Sequence, residues 1–213
     1  MAIRNRLTRR ILLTGSATAL AIGATAGVAL AVAITFSITP GGDLSASAGT
    51  TTLTDTNTGS KLTCATSKST GTLKTGHGIS GTNLGTIKTL TFNNCTGPLS
   101  LTFTVTNSHF PWVLHGTAFN ATTGVTTGSI TGIHSKLSGP SCSAVVDGTG
   151  AAANNGRVKV TYTNGTHKLK VLAGGGNLHV YNVSGCAGLI NSGDATQFVG
   201  TYLVSPAQKI TSP

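Results

Sequence analysis

The clearest pattern of apolar and polar positions runs from Arg157 to Leu172, RVKVTYTNGTHKLKVL. Apolar and polar residues alternate strictly on both sides of Asn164-Gly165. Alternation of this kind marks a strand with one covered face. Asn-Gly is the dipeptide that best tolerates the two positive-φ positions of a type I′ turn. A two-residue turn predicts a hairpin in which Val160 faces Leu169, Val158 faces Val171 and Tyr162 faces His167. One side of that ribbon is apolar, and the other carries Arg157, Lys159, Lys168 and Lys170.

The same pattern recurs elsewhere. Ile87 to Asn93 alternates, and Leu99 to Thr106 sets Leu99, Leu101, Phe103 and Val105 against Ser100, Thr102, Thr104 and Thr106. The turn chemistry of Asn93 to Pro98 between these two segments predicts that they pair as neighbours. His109 to His115 puts Phe110, Trp112 and Leu114 on one face, with Pro111 marking an edge or an irregular start. The parity of Gly128 to Leu137 changes around Gly132, which predicts a β-bulge. Further strands are expected at Ser143–Asp147, Leu178–Val183 and about Ala195–Ser205. Thr66 to Gly85, rich in Gly, Ser and Thr, reads as loops with room for one strand. No amphipathic helix is evident. The pattern predicts an all-β domain over 61–213, an antiparallel β-sandwich or flattened β-barrel of roughly eight to ten short strands, with a faint two-fold repeat.

The N-terminus reads as an address. Arg4, Arg6, Arg9 and Arg10 precede a long Ala/Val/Leu stretch, and Ala46-Ser47-Ala48 offers small residues for cleavage. Residues 1–48 therefore read as an export signal, or as an uncleaved anchor, since the apolar stretch is long enough to span a bilayer. Thr8-Arg9-Arg10-Ile11-Leu12-Leu13 resembles a twin-arginine motif, a second export route. Residues 49–60 read as a Thr-rich linker or a peripheral first strand. The domain beyond is expected outside the cytoplasm, secreted or at the cell surface.

Charge narrows the chemistry. Charged residues make up 8% of the chain, only 4 residues are acidic, and Glu is absent. Carboxylates supply most hydrolytic acid/base work and oxygen-ligand metal binding, so their scarcity argues against both. The net charge is +10, and beyond the leader ten bases still face three carboxylates. Such a surface favours anionic polymers or membranes. In the predicted hairpin Lys159 lies directly opposite Lys170, an unfavourable pairing that an anionic partner would relieve. Solvated lysines that block edge-to-edge aggregation are the plainer explanation.

The four cysteines, Cys64, Cys95, Cys142 and Cys186, form two disulfides in an oxidising compartment. Of the three possible pairings, similar local contexts (NNCTGPL with VSGCAGLI, TCATSKSTG with SCSAVVDGTG) favour Cys64–Cys95 and Cys142–Cys186. None has the close spacing of a metal site, and the six histidines are scattered, so neither a metal nor another cofactor is expected. Asp147 and Asp194 sit where Asp shapes turns. No nucleophile elbow, zinc-protease helix, P-loop or dinucleotide fingerprint occurs.

With its Ala-rich leader, Thr/Gly/Ser-rich body and four-cysteine spacing, the chain resembles secreted all-β proteins of high-GC Gram-positive (actinobacterial) bacteria. More loosely it resembles small disulfide-bearing β-sandwich binding modules. The resemblance is one of style. It implies an extracytoplasmic location and transfers no functional residue. The expected function is a non-enzymatic binding or structural role in the cell envelope, through Arg157, Lys159, Lys168 and Lys170, toward an anionic cell-wall polymer or membrane surface rather than nucleic acid. The alternatives are a secreted hydrolase with a spatially assembled site, and a small-ligand carrier with an apolar cavity around Trp112.

Overall fold

The computed structural model describes residues 34–213, and among them the only helical piece is a 3₁₀ turn at Pro98–Ser100. Four long strands carry the architecture: β4 (Lys61–Leu73), β6 (Gly85–Thr96), β9 (Val125–Ser138) and β14 (Thr196–Ser205). Between β14 and β4 lie β2 (Gly42–Ala48) and β3 (Thr51–Asp55), end to end. Between β6 and β9 lie β7 (Thr102–Ser108) and β8 (Trp112–Asn120) in the same way.

On the other side of β9 come β10 (Ser143–Asp147) and β11 (Gly156–Thr163), followed by β12 (Lys168–Val171) and β13 (His179–Ser184). β12 pairs with β14, and a bridge from His179 to Ala195 joins β13 to it as well. The sheet thus closes on itself as an antiparallel meander with eight strand positions, four of them filled by two short strands in tandem. Closure leaves the barrel no free edge.

Alternation decides what faces inward. Val158, Val160, Tyr162, Val171, Tyr202 and Val204 are buried, while Arg157, Lys159, Lys168 and Lys170 are exposed on the outer wall. A three-stranded sheet, β5 (Gly76–Ser80), β1 (Thr35–Thr39) and β15 (Lys209–Thr211), covers one end. It brings Phe36 and Ile38, both fully buried, into the same hydrophobic core. Each such side chain stabilises the fold by roughly 2–3 kcal/mol relative to exposure. Gly116 permits this closure: a Cβ there would stand 2.7 Å from the Phe36 ring and 2.8 Å from Leu84. Around the other end, the Cys64–Cys95 and Cys142–Cys186 disulfides tie β4 to β6 and the start of β10 to the end of β13.

The all-β fold and the cysteine pairing agree with the sequence, and several finer expectations do not. The fifteen strands of the described residues fill the eight positions of the barrel and the three-stranded cover. Residues 35–48, assigned to the leader, form β1 and β2, and the linker segment contains β3. Ala46, Ala48 and Thr51 are buried, so these strands belong to the domain despite their weak apolar signal. Residues 1–33 of the expected leader lie outside the described residues. The supposed loop region from Thr66 holds most of β4, followed by β5.

The hairpin connects through four residues, Asn164 to His167, so the register shifts by two: Val160 faces Val171 and Tyr162 faces Leu169. The shift keeps the faces but separates Lys159 from Lys170, which now opposes Thr161. Leu99 is 84% exposed with φ 57°, so β7 starts later than its alternation suggested. β8 begins at Trp112, after the cis Phe110–Pro111 bond. Gly132, with φ 87°, is the expected bulge: Gly156 pairs with Ile133 and Arg157 with Thr131.

Candidate functional site

The barrel interior holds a cavity of about 150 Å³. Its lining is dominated by aliphatic side chains from every long strand, with Trp112, Tyr162 and Tyr202 among them. An eight-stranded barrel is wide enough either to be filled by side chains or to enclose one small ligand. For comparison, a dry aliphatic cavity of about 150 Å³ binds benzene or xenon. Trp112 is 2% exposed, stacks on Phe110 at 4.7 Å between ring centroids, and donates Nε1–H to the Ser108 carbonyl. Its ring is therefore fixed in the wall with its polar atom satisfied.

Most interior polar groups are paired. Ser67 Oγ–H donates to Tyr202 Oη at 2.8 Å, and Tyr162 Oη–H donates to the Gln208 carbonyl at 2.8 Å. Burial pushes the Tyr202 phenol up to about 12 against the opposing pull of Ser67, and burial raises Tyr162 against the opposing Gln208 contact. Both phenols are neutral at physiological pH. Two hydroxyls in the cavity lining, Thr51 Oγ1 and Thr126 Oγ1, are buried without a partner. The interior is thus apolar with a few fixed polar points, the composition of a small-molecule site.

The four basic residues of the predicted ribbon share one outer wall, as their alternation implies. Leu203, 53% exposed, stands on the same wall opposite Lys168. The side-chain carboxylates lie elsewhere. Asp55, Asp147 and Asp194 are buried, and Asp43 is exposed but paired with Lys88 at 2.9 Å. Hydrogen bonds from Lys88 and Thr72 and the Lys88 charge hold the Asp43 carboxyl below its ordinary value. The positive wall therefore carries no carboxylate of its own among the described residues.

The hydrolase alternative turns on Asp147 and its neighbours. Asp147 is fully buried at the end of β10, opposite His179 on β13, and His134 Nδ1–H donates to its Oδ2 at 2.9 Å. Asn154 N–H also donates to Oδ2, and Gly148, Asn155 and Gly156 N–H groups donate to Oδ1. Burial pushes this carboxyl up, but His134 and the backbone donors outweigh it and hold the pKa below the ordinary value. Both oxygens are spent on bracing the 148–155 loop. Ser108, across the ladder from His134, bonds instead to His109 Nδ1 at 3.0 Å. Asp194 likewise ties its own turn through Asn191. The carboxylate–histidine pair exists, but no hydroxyl nucleophile among the described residues is bonded to it.

Trp112 lines the interior cavity, and the alternation of Arg157, Lys159, Lys168 and Lys170 in the sequence matches their common exposure. Thr51, Thr126, Asp55 and Thr196 carry no such signal, because a Thr or Asp in a strand or turn segment does not show from the sequence whether its oxygen finds a partner. No protein-family model, curated protein or solved structure matches the chain.

Proposed function

We propose that the chain is an exported, non-enzymatic binding protein whose barrel interior takes a small, mainly apolar ligand. The observation that carries this reading is the apolar cavity of about 150 Å³ around Trp112. A space of this size inside an otherwise close-packed core forfeits dispersion contacts that a guest would restore. The disulfides fit an oxidising, extracytoplasmic setting. Toluene titration tests the reading. Toluene raises the melting temperature of the wild-type protein and perturbs fluorescence from Trp112, its single tryptophan. The cavity-lining substitution Ala46→Leu reduces both responses. A wild-type protein indifferent to saturating toluene would remove the reading.

A second reading is favoured by the carboxylate-free positive wall. Arg157, Lys159, Lys168 and Lys170 would hold the protein against an anionic cell-wall polymer or membrane surface in the envelope, by long-range attraction that salt screens. The two readings are compatible, since one uses the inside of the barrel and the other its outer wall.

A further inference from the structure

A second cavity, of about 50 Å³, lies toward the end of the barrel away from the three-stranded cover, between Leu53, Leu62, Phe103, Leu137, Val180 and Ile190. Two buried polar atoms in its lining have no partner: Asp55 Oδ2 and Thr196 Oγ1. The residues are 2% and 7% exposed and face each other across β3 and β14. The two carboxylate oxygens of Asp55 differ in use. Oδ1 accepts from the N–H groups of Asn57 and Thr58 at 2.8 and 3.0 Å and so shapes the turn after β3. Oδ2 is left for something else. Burying an acceptor without a donor forfeits the hydrogen bond it makes with water, and more is lost for a charged group. A hydrogen-bond donor therefore belongs at this position.

Three side chains, Leu53, Leu62 and Leu137, line both this cavity and the large interior one. One apolar layer separates the two spaces. We infer that the small cavity seats the polar head of the interior ligand, and that the ligand is a small apolar molecule ending in a neutral hydroxyl group. Its O–H donates to Asp55 Oδ2 while its oxygen accepts from Thr196 Oγ1–H, and its apolar body passes the leucine layer into the interior. The head is neutral because Asp55 disfavours an anionic group there and Lys61, an exposed residue that lines the same small cavity, disfavours a cationic one. A carbonyl head is disfavoured because it brings no donor to Asp55 Oδ2. This inference rests on the barrel interior being a ligand site, and its test separates the two.

Titration calorimetry of the purified protein with 1-hexanol, 2-hexanone, hexylammonium and toluene tests it, with Trp112 fluorescence as a second readout. Hexanol is expected to bind at least roughly tenfold more tightly than hexanone. Asp55→Asn keeps an acceptor for the turn and places an amide donor where Oδ2 stood, so it abolishes or reverses the preference for alcohol over ketone. Thr196→Val, close in shape, weakens hexanol while leaving toluene binding unchanged, and it serves if the Asp55 variant fails to fold. Equal affinity for hexanol and hexanone in the wild type, or tighter binding of hexylammonium than hexanol, overturns the head-group site while toluene binding leaves the interior reading standing. Failure of toluene as well as hexanol to bind overturns both.

Discussion

The side-chain amide of Asn164 holds both backbone groups of Ile210: Nδ2–H donates to the carbonyl at 2.8 Å, and Oδ1 accepts the N–H at 2.9 Å. The hairpin turn between β11 and β12 thereby grips β15 and, through it, the three-stranded cover of the barrel. Replacing Asn164 by Ala leaves two backbone groups of Ile210 without these partners. The expected cost is roughly 1–3 kcal/mol, concentrated in the cover. Hydrogen exchange should show lost protection at Ile210 and along β1, with β9 and β11 little changed. Uniform loss across the barrel would show that cover and barrel unfold as one unit.

Asp147 should set the acid limit of stability. Its folded pKa lies below the ordinary 3.8, so its contribution is complete above that value and is lost as the pH falls through the lower folded value. Denaturant titrations from pH 5 to pH 2 are expected to show this decline. Asp147→Asn lowers stability at neutral pH by roughly 2–4 kcal/mol and flattens the acid slope. An unchanged slope in the variant would assign acid sensitivity to other groups.

At the alkaline end the sign reverses. Tyr202 is raised from 10.0 to about 12, so its neutral form stabilises the fold fully below pH 10, and this contribution is lost as the pH climbs toward 12. Tyr202→Phe forgoes the hydrogen bond with Ser67 but should weaken the decline between pH 10 and 12. The phenolate absorbance of the wild type in that range gives the titration directly.

The disulfides close loops with sequence separations of 31 and 44 residues. In the chain-entropy account each contributes about 4 kcal/mol. Paired substitution of Cys64 and Cys95 by Ala is expected to lower the unfolding free energy by nearly that amount. A loss under about 1 kcal/mol would mean that the β4–β6 ladder already restrains the unfolded chain.

The outer wall has its own test. Lys159→Gln together with Lys170→Gln should reduce retention on an anionic polymer by about fivefold or more at low salt, with little difference at high salt. Equal retention at low salt would leave the lysines as solubility devices.

Features set by neighbours along the chain are legible in the sequence itself. Burial of one face imposes alternation locally, so β10 occupies the residues its alternation predicts, and the parity change at Gly132 marks the bulge. The outward direction of Arg157, Lys159, Lys168 and Lys170 is the same in the expected and the observed register, because a shift of two residues preserves parity. The register itself differs because Asn164 serves Ile210 and His167 adopts φ 55°, which lengthens the turn. β2 and β3 escape a reading by pattern because Ser, Thr and Ala carry little apolar signal. Their strand character comes from the ladders of β4 and β14 on either side.

The candidate site lies further from the sequence. Closure depends on β11 meeting β9 and β14 meeting β2, β12 and β13, contacts between segments far apart in the chain. A cavity is the space those walls fail to fill, and an unpartnered oxygen such as Asp55 Oδ2 is defined by what stands opposite it. Composition and periodicity report each residue's preference for burial. They do not report the three-dimensional surroundings that leave one buried oxygen satisfied and its neighbour without a partner.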